Sequence, residues 1–185
     1  MPDALTKRLV DAFRWIDPGP ESTHLVSDMS GWWRDPEILD GLGPALADLF
    51  RTDRPTVVIA PEVTGYLVGP LVATALGAGF VPGLKEGADR QIAEPVTWAR
   101  TEPDYRGRTL ALGVRSRHIT PADRVLVVDD WVSTGAQVGA LYQVIRALGA
   151  TVVGCAAVVA DCPPEIQTRL AIRSLLTSDT LDPHP

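Results

Sequence analysis

The sequence of 185 residues lacks the features that mark several classes of protein. It has only two cysteines, Cys155 and Cys162, and no Cys/His cluster with the spacing of zinc ligands, so neither a disulfide framework nor a resident metal is expected. No apolar run approaches the roughly 18 residues that a membrane span needs. The N-terminal residues alternate charged and apolar side chains, unlike a secretory signal. We therefore expect a cytoplasmic chain that has no membrane partner.

Positive charge is also scarce. The chain has 17 Lys and Arg residues against 23 Asp and Glu residues, for a net charge of −6. A nucleic-acid-binding protein normally presents a basic face, so we expect no nucleic-acid partner. With 45% hydrophobic and 22% charged residues, the composition is that of a soluble globular protein, and the length predicts a single domain over residues 1–185.

Two common nucleotide-binding motifs are missing. Neither G-x-x-x-x-G-K-[ST] nor G-x-G-x-x-G occurs, which argues against a Walker-type or dinucleotide site. The run VLVVDD also occurs in phospho-acceptor signalling domains, but there it forms the first strand. Only 55 residues follow Asp130, too few for that fold.

The chain instead alternates short β-branched runs with amphipathic stretches of helical period. Strands are predicted over residues 56–60, 80–82, 124–128, 151–160 and 172–176. Helices are predicted over residues 7–13, 65–76 and 137–148, and from Pro36 with Asp35 as N-cap. Gly41, Gly43 and Pro44 interrupt that last helix and predict two short pieces or a kinked one. Residues 85–108 show no convincing period and are expected to form a long functional loop.

Alternating strands and helices, with strands apolar on both faces, predict an α/β fold with a parallel sheet. In such sheets ligands bind beyond the carboxyl ends of the strands. The loops after Ala60, Pro82 and Val128 should therefore surround one site.

The most informative stretch is RVLVVDDWVSTGAQ, residues 124–137. An apolar strand ends in Asp129 and Asp130, and a short turn rich in hydroxyl groups then opens a helix. The N–H groups and partial positive charge of a helix N-terminus suit a phosphate. Two adjacent carboxylates would repel a phosphate, but they suit the hydroxyls of a sugar. The stretch thus predicts a site for a ribose 5-phosphate, although the same pattern also occurs as an ordinary α/β turn and helix cap.

This stretch resembles the phosphoribosyl-diphosphate signature of the type I phosphoribosyltransferases, and within that family it is most similar to the adenine-specific members. Weaker likenesses follow in the family's order over about residues 25–160. They are carried by Ser27-Asp28-Met29, Asp35-Pro36-Glu37, residues 60–66, residues 79–82 with Lys85 and Gly87, and Asp104-Tyr105.

The resemblance implies a parallel-sheet phosphoribosyltransferase core flanked by helices, with a small hood over about residues 1–50 and a mobile lid loop over about residues 84–108. It implies an enzyme of nucleotide metabolism that transfers a 5-phosphoribosyl group from phosphoribosyl diphosphate to a purine-like (adenine-type) or other nitrogen-heterocycle acceptor, releasing diphosphate. Mg²⁺ would be carried by the diphosphate of the substrate, and the chain would form a homodimer.

The same resemblance assigns roles by position. Asp129 and Asp130 would bind the ribose hydroxyls and stabilise positive charge at the sugar, and Asp104 would act as acid or base, unless it is a solvated lid residue. Trp131 would form a wall of the acceptor pocket or fill the gap between sheet and lid. The 5-phosphate would be held by Ser133, Thr134, Gly135, Ala136 and Gln137. The diphosphate side would be formed by Glu62, Val63, Thr64, Gly65 and Lys85.

The sequence departs from the family's pattern on the diphosphate side. Thr64 stands where the family's loop usually has arginine, and Leu84-Lys85 replaces an Arg-Lys pair. Two alternatives to an active transferase therefore stay open. One is a sensor or regulator that binds a ribose-phosphate ligand without turnover, and the other is a specialised biosynthetic ribose-phosphate enzyme.

Overall fold

The computed structural model describes residues 4–22, 25–87, 93–103 and 108–181. The strands are β1 (Arg14–Ile16), β2 (Val26–Asp28), β3 (Val57–Pro61), β4 (Gly79–Lys85), β5 (Val96–Arg100), β6 (Ala111–Arg115), β7 (Arg124–Val132), β8 (Thr151–Ala160) and β9 (Ile172–Thr177). The α-helices are α1 (Ala4–Ala12), α2 (Ser30–Arg34), α3 (Pro36–Asp48), α4 (Gly65–Leu76), α5 (Ala136–Ala147) and α6 (Pro164–Arg169). Within these ranges, every helix is too short or too polar to cross a membrane.

Seven of these strands form one sheet in the order β5-β6-β4-β3-β7-β8-β9. Strands β4, β3, β7, β8 and β9 pair in parallel, whereas β6 and β5 extend the β4 edge in the antiparallel direction. A mostly parallel sheet flanked by helices confirms the predicted α/β fold. Its topology brings the carboxyl ends of β3, β4 and β7 to the same edge, where a ligand site is expected.

Strand β7 is buried on both faces because helices cover both sides of the sheet. Leu126 and Val128 belong to a core shared with α3 and α4, whereas Val125 and Val127 belong to a core shared with α5. All four side chains have an exposure of 0%, and burying each contributes about 1.5–3 kcal/mol. This burial holds the strand rigidly at the centre of the sheet and fixes the position of the residues at its carboxyl end.

Helix α3 starts as predicted and forms one continuous element. The Oδ1 of Asp35 accepts a hydrogen bond from the backbone N–H of Glu37 at 2.9 Å, which caps the helix. The helix then runs unbroken past Gly43 and Pro44 rather than as two short pieces. Packing explains the glycine, since a Cβ at Gly43 would lie 2.6 Å from the carbonyl oxygen of Leu71 on α4.

Phe13, Trp15 and Trp32, all near the N-terminus, pack together beside the end of β7. We call them the N-terminal aromatic layer. Strands β1 and β2 pair as an antiparallel hairpin, which the sequence analysis did not predict. Trp32 of α2 is fully buried, and its Nε1 donates to the carbonyl oxygen of Leu9 at 2.8 Å. The Nε1 of Trp15 in β1 donates to the carbonyl oxygen of Leu181 at 2.9 Å. These bonds anchor the layer to the first helix and to the end of the described chain.

The segment expected to be a long loop contains a strand, and this is a correction to the sequence-based prediction. Strand β5 lies inside residues 84–108 and pairs antiparallel with β6 along its whole length. Its sequence, VTWAR, contains residues that favour strands. Because the run is only five residues long and lies between charged residues and prolines, it shows no clear alternation of apolar and polar side chains. The strand is stabilised by its partner β6 rather than by a local pattern, so only the tertiary fold reveals it.

Candidate active site at the carboxyl end of strand β7

The carboxylates of Asp129 and Asp130 lie at the centre of the site. Strand β7 continues through both residues, so they sit inside the strand rather than in the loop after it. Their exposures are only 5% and 4%. The Oδ1 of Asp129 accepts the backbone N–H of Asp130 at 3.0 Å, and the Oδ1 of Asp130 accepts the hydroxyl of Thr64 at 2.9 Å. The strand thus presents two hydrogen-bond acceptors that are held in place from both sides.

Burial changes the acid–base behaviour of this pair. Removal from water raises the pKa of Asp129 well above its ordinary value of 3.8, and repulsion from the neighbouring Asp130 raises it further. The positive charge of Lys85 opposes both effects. Burial and the adjacent negative charge therefore both favour the protonated form of the Asp129 carboxyl group over its ionised form.

The turn from β7 into α5 provides donors for an anion. The hydroxyl oxygen of Thr134 accepts the backbone N–H of Ala136 at 3.2 Å, and the first helical bond joins the N–H of Gly139 to the carbonyl of Gly135 at 2.8 Å. The other N–H groups of the first turn have no helical partner, because an α-helix leaves its first donors unpaired. The turn therefore offers backbone N–H and side-chain O–H groups to a phosphate at the positive end of α5.

Gly135 is required by both its backbone and its packing. Its φ of +73° lies in the left-handed region that favours glycine. A Cβ there would also stand 2.6 Å from the Cδ1 of Leu170 and 3.0 Å from the Cγ2 of Ile166. These two residues are held close because the hydroxyl of Tyr142 donates to the carbonyl oxygen of Leu170 at 2.6 Å. The turn is thus tightly supported from behind by α6.

One cavity brings most of the predicted site residues together. It is lined by Lys85, Thr101, Arg108, Leu110, Asp129, Trp131, Val132, Ser133, Thr134, Gly135, Ala136, Gln137 and Val138. One cavity is therefore lined by the predicted 5-phosphate residues, by Trp131, and by Asp129 and Lys85. Asp104 falls outside the described residues. We call this space the β7–α5 cavity.

The loop from β3 to α4, residues 62–65, lies beside the carboxylate pair. The Oε2 of Glu62 accepts the backbone N–H of Lys85 at 3.0 Å, and the backbone N–H of Glu62 donates to the carbonyl of Gly83 at 2.9 Å. Val63 is 69% exposed. Thr64 directs its hydroxyl to Asp130, as described above. The loop is therefore fixed to the end of β4 by its first residue and to β7 by its third.

Gly65 completes this loop at a point of close approach. A Cβ there would lie 3.1 Å from the Cδ of Pro61 and 3.4 Å from the Oδ1 of Asp129. The small residue lets the start of α4 sit directly against the carboxylate.

Trp131 connects the cavity to the N-terminal aromatic layer. Its ring stacks on Phe13 with centroids 6.0 Å apart and planes 24° apart, and it meets Trp15 edge to face at 5.9 Å. The indole therefore lines the cavity and also packs on the N-terminal layer, a contact that the sequence analysis did not consider. Its roles as a wall of the acceptor pocket or as a filler between sheet and lid stay predictions.

Five lining residues of the cavity were not among the predicted site residues: Val132 and Val138, which flank the turn, and Thr101, Arg108 and Leu110. Thr101 and Leu110 close the β5–β6 hairpin, with the Thr101 N–H donating to the Leu110 carbonyl at 2.8 Å and the Leu110 N–H donating to the Thr101 hydroxyl at 2.9 Å. Arg108 lies two residues before this closure and is a second cationic residue, with Lys85, in the lining of the cavity. The β-branched run before Thr101 and the apolar run after Leu110 are the signal that would have indicated a hairpin.

Comparison with known proteins agrees with this geometry. The family model of the phosphoribosyl transferase domain matches residues 34–170. An adenine phosphoribosyltransferase of Yersinia pestis is 32% identical over 153 residues, covering 83% of this chain and 79% of the relative.

Solved structures give the same result. The crystal structure of adenine phosphoribosyltransferase from Rhodothermus marinus superposes with a TM-score of 0.78 and 27% identity, covering 94% of this chain and 98% of the other. The enzyme of the same name from Leishmania tarentolae superposes with a TM-score of 0.80 and 25% identity, covering 97% of this chain and 90% of the other.

Proposed function

This chain belongs to the phosphoribosyl transferase domain family, as its sequence signature predicts, and we propose that it transfers a 5-phosphoribosyl group from phosphoribosyl diphosphate to adenine or a closely related purine. Diphosphate is the second product. The observation that carries this proposal is the β7–α5 cavity, whose lining joins Asp129, near the carboxyl end of β7, to the turn of residues 133–137. Asp130, the second buried carboxylate, is the next residue of the strand. Few ligands other than a phosphorylated sugar carry both a phosphate for the turn and hydroxyl groups for the carboxylates.

The turn of residues 133–137 would bind the 5-phosphate. The N–H groups at the start of α5, together with the hydroxyls of Ser133 and Thr134, supply donors, and the partial charge at the helix end adds about 0.3–1 kcal/mol. Backbone donors do the greater part of this work, so the presence of Ala136 and Gln137 instead of the family's usual Gly-Thr leaves the site competent.

Asp129 and Asp130 would hold the two ribose hydroxyls. As the bond from the sugar to the diphosphate breaks, positive charge develops at the ribosyl centre, as in glycoside hydrolysis. Negative charge placed near this centre in a site shielded from water stabilises the transition state. The burial of the pair supplies this shielding.

The diphosphate enters as its Mg²⁺ complex, so the metal is part of the substrate. Lys85 and Arg108 both line the cavity and would draw the anionic donor in and stabilise the leaving group. The loop of residues 62–65 would face the diphosphate through backbone groups. Trp131 would stack on the purine ring, and Asp104 would exchange a proton with it.

Three further points complete the proposal. Residues 84–108 would close over the substrates and exclude water, which would otherwise hydrolyse the donor. Residues 1–50 would act as the hood over the acceptor. The chain would work as a cytoplasmic homodimer in nucleotide metabolism, within purine salvage.

A regulator that binds the sugar phosphate without turnover is the second candidate, because one observation favours it. Thr64 stands where the family usually has arginine, and its hydroxyl is directed to Asp130. The loop therefore offers the diphosphate no side-chain cation at this position.

One assay separates the two functions. The protein is incubated with phosphoribosyl diphosphate, Mg²⁺ and a panel of nitrogen bases, and diphosphate release is followed. We expect release that depends on adenine and is lost in Asp129→Asn/Asp130→Asn, with Asp40→Asn, an exposed carboxylate on α3, as the matched control. Binding of the donor without release for any base would establish the regulator. Absence of binding would overturn the ribose-phosphate site itself.

A further inference from the structure

Thr64 occupies the N-cap position of α4 but does not cap the helix. Ser and Thr at this position ordinarily accept a backbone N–H from the first turn. Thr64 makes no such capping bond within the described part of α4. Its hydroxyl instead donates to the Oδ1 of Asp130, a residue on another element, at 2.9 Å. A helix-stabilising role is thus replaced by a contact with the carboxylate pair.

On this geometry, and resting on the proposed function, we propose that Thr64 is a positioning residue that aims the Asp130 carboxylate at a ribose hydroxyl. Its side chain serves the sugar end of the donor and not the diphosphate end. The substitution of the family's arginine by threonine therefore moves this loop position from one half of the substrate to the other.

The hydrogen bond has the features of a directing contact. Asp130 is 4% exposed, so water contributes little to holding its carboxyl group in one orientation. A hydroxyl that donates to one carboxylate oxygen fixes the plane of the group and leaves the second oxygen to accept from a ligand. The backbone of Thr64 is itself fixed, because the N–H of Leu67 donates to its carbonyl at 2.9 Å.

The same bond weakens the case for a direct role at the diphosphate. A hydroxyl has one hydrogen to donate, and here that hydrogen points to Asp130. To donate to a diphosphate oxygen, Thr64 would have to release a buried carboxylate. That exchange would leave Asp130 short of a partner in a site almost without solvent, which is unfavourable.

The test is binding measured by calorimetry with three probes: ribose 5-phosphate, inorganic phosphate and magnesium diphosphate. Thr64→Val keeps the shape of the side chain and removes the hydroxyl, and Thr64→Ser keeps the hydroxyl. Thr74→Val is the matched control, because Thr74 lies on the same helix and its hydroxyl donates to the backbone carbonyl of Pro70 at 2.9 Å.

We expect Thr64→Val to weaken ribose 5-phosphate binding by about tenfold to a hundredfold, the range for a lost bond to a charged group. Binding of inorganic phosphate and magnesium diphosphate to Thr64→Val should stay at the wild-type level. Thr64→Ser, which keeps the hydroxyl, should bind ribose 5-phosphate with wild-type affinity. In an Asp130→Asn background, Thr64→Val should have little further effect, since the group it positions is already altered.

Two results would overturn the inference while leaving the proposed function intact. One is wild-type affinity of Thr64→Val for ribose 5-phosphate, and the other is a loss confined to magnesium diphosphate. If Thr64→Val does not fold, as judged by thermal unfolding, Thr64→Ala takes its place with the same expectations. If the wild-type chain itself does not bind ribose 5-phosphate, the proposed function fails first.

Discussion

Trp131 and Phe13 stack with their ring centroids 6.0 Å apart, and this contact joins strand β7 to the N-terminal layer. Trp131 directly follows Asp129 and Asp130 in the strand. Trp15 meets the same indole at its edge. The wall of the cavity that Trp131 forms is therefore supported by a part of the chain more than 100 residues away in sequence.

The first prediction concerns this indole. Trp131→Ala should raise the KM for adenine strongly while changing the KM for phosphoribosyl diphosphate much less, since only the acceptor would stack on the ring. It should also lower the free energy of unfolding by about 0.5–1.5 kcal/mol for each lost aromatic pair. Steady-state kinetics and urea unfolding measure the two effects.

Trp131→Phe should recover part of the affinity, and Trp98→Ala on β5 is the control for loss of a tryptophan elsewhere. An equal rise of both KM values in Trp131→Ala would indicate general loosening of the site instead.

The second prediction uses two glycines at the start of α5. Gly135→Ala places a Cβ against Leu170 at a φ of +73°, and we expect it to destabilise the fold by about 1–2 kcal/mol or more and to weaken phosphate binding. Gly139→Ala is its control, because its Cβ would meet no described heavy atom within 4 Å.

The control should be neutral or should stabilise the helix by up to about 1 kcal/mol. Chemical unfolding measures the stability of both variants, and titration with phosphate measures their affinity for it. The expectation is wrong if the two substitutions have equal effects.

The third prediction concerns pH. Because burial raises the pKa of Asp129 above its ordinary 3.8, the folded protein holds this proton at pH values where the unfolded chain has released it. The contribution of Asp129 to stability must then decrease as pH rises above about 4 and level off once pH passes the folded-state pKa.

Asp129→Asn removes the carboxyl group that titrates. The free energy of unfolding of the variant minus that of the wild type should therefore increase with pH over that window. Urea unfolding curves recorded at a series of pH values measure this difference. Asp35→Asn should show the opposite sign at lower pH, from about 4 downwards, since the N-cap bond from Glu37 lowers the pKa of Asp35 and its stabilising effect is lost as pH falls. A pH-independent difference for Asp129→Asn would contradict the assigned burial effect.

The fourth prediction addresses the two cations of the cavity. Lys85→Ala and Arg108→Ala should each weaken phosphoribosyl diphosphate binding by about tenfold or more, the loss expected for a bond to a charged group. Both should also reduce the dependence of affinity on salt concentration.

Arg117→Ala is the matched control, because its guanidinium pairs with Glu94 at 3.0 Å away from the cavity. The affinity of each variant for phosphoribosyl diphosphate is measured at several salt concentrations. An unchanged affinity in Arg108→Ala would remove this arginine from the donor site.

Some parts of the structure follow directly from local pattern. Helix α4 and strand β8 have the bounds that periodicity predicts, because each is a long run with one strong signal and a clear stop, such as the left-handed Gly77 after α4. The turn from β7 into α5 was predictable for the same reason. Its donors, its glycine and its helix are consecutive in the sequence, so its chemistry is local.

Other parts required the fold. Strand β5 has too few residues to show a period, and it exists because β6 supplies its hydrogen bonds. Arg108 reaches the cavity only because Thr101 and Leu110 close the hairpin next to it.

Local pattern was therefore enough to predict the sheet's central strands, the carboxyl pair and the turn that follows it, since neighbours along the chain carry that information. The bond from Thr64 to Asp130, the packing of Phe13 on Trp131 and the placement of Arg108 in the same cavity as Lys85 came from the three-dimensional fold. Each of these relationships brings together residues far apart in the chain, and their distance is set by how the layers pack and not by any spacing that a single sequence displays.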